Sequence, residues 1–216
     1  MASQALYRFL TWFFQRLYHQ FAWSYDIVAA VVSLGRWNSW IRAIVPYITG
    51  ERILELGPGT GVLLSALASD LRFCVGVDES AQMLHQARRR VRRTNSRNVH
   101  LIRARGGSIP IQSYSCNVVV ATFPTEYIYE SRTIHEIRRV LQPGGQAVIL
   151  ISAQVGGRRL SEKLLRKIYA ITRQSPGSDT DLEIFRCPYA EAGFTARLEW
   201  ITSGRDRLLI LIAKSS

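Results

Sequence analysis

The chain of 216 residues is long enough for one domain with a full hydrophobic core. Its hydrophobic content of 47% and charged content of 20% exclude a disordered chain, and its net charge of +12 favours anionic partners. Cys74, Cys116 and Cys187 are far apart and lack metal-ligand spacing. They indicate ordinary thiols in a reducing compartment rather than disulfides or a zinc site.

The segment from Met1 to Trp23 has no acidic residue and many aromatic ones. Polar side chains recur every three or four positions between Gln4 and His19, which predicts an amphipathic helix. Arg16 interrupts the apolar run, so a membrane span or a secretory signal is disfavoured. Three interpretations remain open: a helix in the membrane interface, a helix that caps the core or contacts another subunit, and an organellar targeting peptide.

The next segment also has helical character. Ile27 to Leu34 is an apolar run that ends at Gly35, and Trp37 to Val45 indicates a short helix before Pro46. We therefore expect an N-terminal helical extension or lid over residues 1–46, followed by the main domain over residues 47–216.

A glycine-rich turn follows the first predicted strand. The apolar run Ile53 to Leu56 contains one acid, Glu55, and leads into Gly57-Pro58-Gly59-Thr60-Gly61 and an apolar helix over Val62 to Ala68. Glycines at alternate positions tolerate positive φ and allow a ligand to approach the backbone. The spacing G-x-G-x-G differs from the G-x-G-x-x-G of dinucleotide sites.

The second predicted strand, Phe73 to Val77, ends in Asp78, whose carboxylate can accept both hydroxyl protons of a ribose. The turn and this acid together predict a nucleoside site without a pyrophosphate cradle.

The helix Ala81 to Arg93 comes next. Its predicted outer face is basic and consists of Arg88, Arg89, Arg90, Arg92 and Arg93, with Arg97 just beyond. Such a face binds lipid or nucleic-acid phosphates, or is simply solvated.

The remaining pattern alternates strands and helices and ends in a hairpin. Asn117 to Thr122 has the continuous apolar character of a buried parallel strand and delivers Thr122 to Tyr127 to the carboxyl edge, where ligands bind. The other predicted elements are a strand at Val99 to Ala104, a helix at Arg132 to Leu141 ended by Pro143-Gly144-Gly145, a strand at Gln146 to Ile151, a basic amphipathic helix at Arg158 to Arg173, a polar loop at Ser175 to Asp181, and a hairpin of Thr195 to Thr202 with Arg207 to Ala213.

Four ordered motifs resemble the class I S-adenosylmethionine (SAM) dependent methyltransferases. They are Glu55 to Gly61, Gly76 to Leu84, Val118 to Pro124 and Arg139 to Gly145. The upstream pattern around Tyr25-Asp26 and Ser33 to Trp37 is similar to the ubiquinone/menaquinone C-methyltransferase and phosphatidylethanolamine N-methyltransferase types. The resemblance implies an α/β, Rossmann-like fold with a seven-stranded, mostly parallel sheet, an antiparallel C-terminal hairpin and helices on both faces.

The resemblance also implies SAM as the cofactor and a set of contacts to it. An acidic residue commonly receives the adenine amino group after the third strand. Arg105 stands there in this chain and has no acceptor, which leaves Ser108 and Ile109 as the expected adenine neighbours. The full implied set is Tyr25, Glu55, Gly57, Gly59, Gly61, Asp78, Glu79, Met83, Ser108, Ile109 and Thr122. No metal site is expected.

No catalytic base is assigned from the sequence. Glu126, Tyr127, Tyr129 and His19 are candidates by position alone. Thr122-Phe123-Pro124 lacks the Asn-Pro-Pro-Tyr or Asp-Pro-Pro-Tyr pattern of nucleic-acid amino-methyltransferases, which argues against a base amine as acceptor.

The leading hypothesis is a cytoplasmic or membrane-peripheral methyltransferase acting on a small hydrophobic or amphipathic acceptor, quinol-like or lipid-like. The first alternative is a non-catalytic protein of the same fold that binds membrane or a partner. Two departures from the family's pattern keep it open: Arg105, and Asn117, which stands where the family has Asp before the fourth strand. The second is a basic RNA-modifying enzyme, favoured by the positive charge. Acceptor, oligomeric state and the atom methylated do not follow from the sequence.

Overall fold

A computed structural model describes residue 30 and residues 33–68, 72–157 and 179–215, with the backbone alone for 179–181. The predicted helices at Met1 to Trp23 and Arg158 to Arg173 lie outside these residues, as does most of Ile27 to Leu34. Within the described ranges no helix is long and apolar enough to cross a bilayer.

A single seven-stranded sheet organises the described chain. Five strands run parallel in the order β3-β2-β1-β4-β5, and β7 pairs antiparallel with both β5 and β6. The predicted α/β class, the mostly parallel sheet and the C-terminal hairpin are therefore confirmed. The strands are β1 Arg52–Leu56, β2 Phe73–Asp78, β3 Val99–Arg103, β4 Cys116–Thr122, β5 Leu141–Gln154, β6 Phe194–Ser203 and β7 Asp206–Ser215.

Helices cover both faces of this sheet. They are α1 Trp37–Arg42, α2 Val62–Leu67, α3 Ala81–Arg92, α4 Ser131–Val140 and α5 Asp179–Glu191, with 3₁₀ turns at Val45–Tyr47 and Glu126–Tyr129. Successive strand residues point to opposite faces, so Ile53 joins one apolar cluster and Leu54 the other. The first cluster takes side chains from α1, α2 and the end of α3; the second takes them from α4 and α5.

The segment before the sheet packs into the core rather than lying apart from it. Trp40, Ile41 and Ile44 are almost fully buried against β1, β4 and β5. The buried Asp206 carboxylate anchors this segment because it accepts hydrogen bonds from the Trp40 indole at 2.6 Å and the Arg36 guanidinium at 2.7 Å. The domain boundary between residues 46 and 47 stays a prediction.

Two expectations about secondary structure need correction. Helix α5 begins at Asp179, inside the expected polar loop, and continues through Pro188 to Glu191. Strand β5 begins at Leu141, before Pro143-Gly144-Gly145, so the strand runs through the expected break. Gly145 stays close to the Asn117 carbonyl, and the β4–β5 register shifts between Cys116 and Val118, which shows how the chain accommodates this irregular stretch.

Candidate active site at the carboxyl edge of the sheet

The glycine loop between β1 and α2 has the backbone that its sequence requires. Gly57, Gly59 and Gly61 have φ of 67°, 51° and 79°, in the left-handed region that side chains other than glycine avoid. A Cβ at Gly61 would lie 2.9 Å from the Ala87 Cα, so this glycine lets α2 pack closely on α3. A Cβ at Gly59 would meet nothing within 4 Å. The loop is therefore tight at its end and open at its centre.

Asp78 lies beside the open part of this loop, at the end of β2. Its carboxylate is 5% exposed and accepts hydrogen bonds from the Ser80 amide at 2.8 Å and the Gly59 amide at 3.3 Å. These bonds fix the carboxylate next to Gly59. A carboxylate has about four lone-pair sites, so Asp78 can accept further protons from a ligand hydroxyl pair.

Glu55 is a buried carboxyl just below the glycine loop. It is 1% exposed, and neither of its oxygens reaches a hydrogen-bond partner of good geometry within the described ranges. Burial and then the nearby Asp78 carboxylate raise the pKa of Glu55 to about 8, while the Leu64 amide offsets only part of this. A buried acid without a partner is costly unless a ligand satisfies it.

A narrow space, here called the loop slot, joins Glu55 to the glycine loop. Its volume is about 20 Å³, and it is lined by Trp37, Ile41, Glu55, Gly57, Pro58, Gly59, Thr60, Val62, Leu63 and Thr122. Trp37 stacks on Phe123 at 4.4 Å between ring centroids, and Phe123 holds a φ of 46° directly after β4. This backbone conformation is unusual for a bulky residue and aims an aromatic ring at the wall of the slot.

Tyr127 closes the other side of the glycine loop. Its hydroxyl is buried without a hydrogen-bond partner among the described residues and lies 2.7 Å from where a Cβ at Gly57 would be. Burial, followed by the Asp78, Glu55 and Glu79 carboxylates, raises the pKa of Tyr127. The hydroxyl therefore stays protonated near neutral pH and is suited to donate a hydrogen bond rather than to act as a base.

A larger cavity of about 510 Å³ begins one residue after Asp78 and is here called the base cavity. It lies between the start of α3 and the end of β3 and is lined by Glu79, Ser80, Ala81, Gln82, Arg103, Ala104 and Arg105. Ser108 and Ile109 do not line it. Ser108 is exposed, whereas Ile109 is buried and its amide donates to the Glu136 carboxylate of α4 at 2.7 Å.

The remaining predicted site residues are dispersed. Met83 is fully buried in α3, and its amide donates to the Ser80 hydroxyl at 3.3 Å. Glu126 is exposed, and Tyr129 packs on Phe185 of α5 at 5.5 Å between ring centroids. Tyr25 and His19 lie outside the described residues. The cofactor contacts of Tyr25, Met83, Ser108 and Ile109 thus remain predictions.

Arg90 was expected on the outer, basic face of α3, and this expectation is wrong. Its guanidinium does not lie on the outer face of α3 but donates to the Thr60 hydroxyl at 2.6 Å and the Thr60 carbonyl at 3.0 Å. Arg90 therefore ties α3 to the glycine loop. The helical spacing contained this signal, because Arg90 follows the inward-facing Ala87 by three residues.

Asn117 supports the other end of β1 rather than the site. Its side-chain oxygen accepts hydrogen bonds from the Glu51 and Arg52 amides at 3.1 and 2.9 Å, while its NH₂ donates to Gln142 at 2.8 Å. A carboxylate could accept from the amides but could not donate to Gln142. The asparagine is therefore explained by packing between strands.

Comparison with known proteins identifies the part of the chain that carries this site. Residues 53–145 match the family model described as a methyltransferase domain. The matched segment is a methyltransferase domain. The chain is 34% identical over 131 residues to the demethylmenaquinone methyltransferase of Clavibacter sepedonicus, covering 58% of this chain and 52% of the relative. It is 28% identical over 142 residues to the ubiquinone/menaquinone biosynthesis C-methyltransferase of Blochmanniella floridana, covering 62% and 56%.

Solved structures share the fold at low sequence identity. A SAM-dependent methyltransferase from Aquifex aeolicus superimposes with a TM-score of 0.62 at 15% identity, covering 84% of this chain and 93% of that one. Haemonchus contortus phosphoethanolamine N-methyltransferase 2, in complex with phosphomonomethylethanolamine and S-adenosylhomocysteine, gives 0.60 at 18% identity, covering 84% and 53%. The chain spans about half the length of the sequence relatives it matches.

SAM is the cofactor of this domain class, and the residues around the glycine loop fit it. The open side of Gly59 admits a ligand against the backbone. The partnerless Glu55 carboxyl and Tyr127 hydroxyl are buried polar groups that a ligand in the slot would satisfy. Asp78, between the slot and the base cavity, is a carboxylate of the kind that holds a ribose. The cofactor contacts expected of Glu55, Gly57, Gly59, Gly61, Asp78, Glu79 and Thr122 also stay predictions.

Proposed function

We propose that this protein transfers a methyl group from SAM to a small hydrophobic or amphipathic acceptor of quinol-like or lipid-like chemistry. The observation that carries the proposal is the line of groups along the carboxyl edge of the sheet: partnerless Glu55, open Gly59, buried Asp78 and the base cavity. The similarity to quinone-pathway C-methyltransferases favours a planar aromatic acceptor, although those relatives are about twice as long as the matched segment.

The chain's own residues would bind and align rather than take part in bond making. SAM supplies a methyl group already activated on a positive sulfur, so the acceptor needs chiefly to be held in line with it. Alignment of this kind can contribute roughly 7 to 11 kcal/mol. Asp78 would hold the ribose, Glu79 and Gln82 would border the purine, and Thr122 would line the slot. Trp37, on which the Phe123 ring stacks, gives the slot an aromatic wall against which a planar acceptor can pack.

Gly59→Ala tests this assignment most sharply because it has a matched control. Both Gly59 and Gly144 have positive φ and open space where a Cβ would be, so alanine causes similar backbone strain at either position. Only at Gly59 would the methyl group enter the proposed cofactor site. We expect calorimetric titration with S-adenosylhomocysteine to show loss of binding in Gly59→Ala and retention in Gly144→Ala.

Asp78→Ala provides a second test of the nucleoside position. Removing the ribose acceptor should weaken S-adenosylhomocysteine binding at least tenfold, the cost of roughly one charge-assisted hydrogen bond. Asp78→Asn keeps the size of the side chain and one acceptor oxygen for the Ser80 amide, and loses the charge and the acceptor for the Gly59 amide, so it separates loss of the charge from loss of the whole side chain. Unchanged affinity in both variants would place the nucleoside elsewhere, and absence of binding by the wild-type chain would favour the non-catalytic alternative.

The exposed basic surface of α3 supports a role at an anionic membrane. This surface, here called the arginine face, consists of the exposed Arg88, Arg89 and Arg92 of α3 and the exposed Arg93 and Arg97 just beyond it. Clustered arginines gain about 1 kcal/mol each near an anionic lipid surface. A lipid-soluble acceptor would be delivered there, and the predicted amphipathic helix at Met1 to Trp23 would add to the attachment.

A further inference from the structure

Two guanidinium groups are the distinctive feature of the base cavity. Arg103 and Arg105 both line it, and a guanidinium has no acceptor. Arg105 is 84% exposed on its side chain, so it is free to turn towards a base entering the cavity. Its Nε lies 3.5 Å from the Glu79 carboxylate, which is the only carboxylate among the lining residues.

Several acceptors at the cavity wall are already engaged. The Glu79 carbonyl accepts from the Arg103 Nε at 3.0 Å, and the Arg105 carbonyl accepts from the Ser108 amide at 3.0 Å. The Gln82 side chain has both an acceptor and a donor and can rotate to present either, so it does not discriminate between purines.

Adenine and 6-oxo purines differ in the hydrogen-bonding groups that they present to the cavity wall. Adenine presents an amino donor at C6 beside its N7 acceptor, whereas a 6-oxo purine presents an oxygen at C6 beside the same N7 acceptor. Arginine pairs bidentately with the oxygen and N7 of the second type, while the first type is matched by a side-chain amide. The lining of this cavity therefore suits both edges, because the Gln82 amide can pair with adenine and a guanidinium can pair with the 6-oxo edge.

We propose that Arg105 relaxes base selectivity in this protein, so that the site accepts an S-inosyl ligand as well as the S-adenosyl ligand. The inference rests on the proposed SAM site, because it places the base beyond a ribose held by Asp78. It concerns recognition of the base alone and leaves the methyl-transfer chemistry unchanged. The ligand class it adds is a hypoxanthine nucleoside thioether.

Calorimetric titration of the full chain with S-adenosylhomocysteine and S-inosylhomocysteine tests the proposal without an activity assay. We expect the S-inosyl compound to bind no more than fivefold more weakly than the S-adenosyl compound. Arg105→Asp replaces the donor with an acceptor and should shift the ratio of the two dissociation constants by at least tenfold towards S-adenosylhomocysteine. Arg205→Asp makes the same charge change in the exposed β6–β7 turn and should leave the ratio unchanged.

The outcomes separate this inference from the proposed function. A wild-type chain that binds S-adenosylhomocysteine more than fivefold tighter than S-inosylhomocysteine overturns the inference and leaves the SAM site standing. An unchanged ratio in Arg105→Asp also overturns it, because Arg105 would then not contact the base. Binding of neither compound overturns both proposals together.

Discussion

At the scale of single residues, Glu55 is the group whose ionisation state matters most. Its pKa is about 8 in the folded chain against an ordinary value of 4.5 for this side chain. A carboxyl with a raised folded-state pKa stabilises the fold fully below the unfolded pKa, and this contribution is lost as pH rises towards 8. Glu55 should therefore lower the free energy of unfolding by roughly 3 kcal/mol between pH 5 and pH 8.

Glu55→Gln isolates this effect, since the amide is of similar size and does not ionise. Urea unfolding at a series of pH values should show wild type and variant converging near pH 5, with the variant more stable at pH 8. A difference that does not depend on pH would mean that Glu55 has a near-normal pKa. The same variant should bind SAM more weakly, because it replaces the buried carboxyl group beside the slot.

Glu55 and Tyr127 show which parts of the candidate site could be predicted from the sequence and which could not. Local spacing was enough to predict the positions of the glycine turn, Asp78 and Glu55, because each lies in or directly after a short apolar strand. The Tyr127 hydroxyl over Gly57 and the Phe123 ring on Trp37 depend on the course of loops distant in sequence. Arg90 was misplaced because a run of arginines hides the one that turns inward.

At the scale of elements, a buried carboxylate anchors α1 to the C-terminal hairpin. Asp206 is 1% exposed and accepts hydrogen bonds from the Trp40 indole, the Arg36 guanidinium and the Gly156 amide at 2.6, 2.7 and 2.9 Å. Helix α1 also carries Trp37, which lines the loop slot. The anchor therefore links the stability of α1 to the shape of the proposed cofactor site.

Asp206→Ala should destabilise the protein by about 3 kcal/mol, because it leaves the buried indole NH of Trp40 without its acceptor. Asp206→Asn keeps one oxygen and should lose about half as much. Chemical denaturation of both variants and of wild type, followed by Trp fluorescence, measures the difference in the free energy of unfolding. An alanine variant within 0.5 kcal/mol of wild type, roughly the size of a surface substitution, would show that α1 is held by apolar packing alone.

Strands β1, β2 and β4 could be predicted because each is a short, mostly apolar run bounded by turn residues. Helix α5 could not, since Pro188 lies inside it and its polar start resembles a loop. A proline normally breaks a helix because it removes one backbone donor, and only tertiary packing can compensate. Tyr189 supplies such packing: it is fully buried, and its hydroxyl donates to the Ile128 carbonyl at 2.9 Å.

At the scale of the whole molecule, the net charge of +12 predicts association with anionic surfaces that weakens as salt screens it. The arginine face concentrates part of this charge on one helix, whereas a uniformly basic surface would bind through any side. Replacement of Arg88, Arg89, Arg92 and Arg93 by glutamine separates the two cases. The control replaces four exposed arginines elsewhere, Arg42, Arg132, Arg197 and Arg205, and so removes the same charge.

Sedimentation with vesicles of mixed phosphatidylglycerol and phosphatidylcholine should show at least tenfold weaker binding for the first variant and a much smaller change for the control. The expected difference follows from about 1 kcal/mol per arginine at an anionic lipid surface. Equal losses in the two variants would mean that net charge alone drives association.

Deleting Met1 to Trp23 should weaken vesicle binding further and leave the fold intact. Tight, salt-dependent binding to RNA, with no binding to vesicles, would instead favour the RNA-modifying alternative.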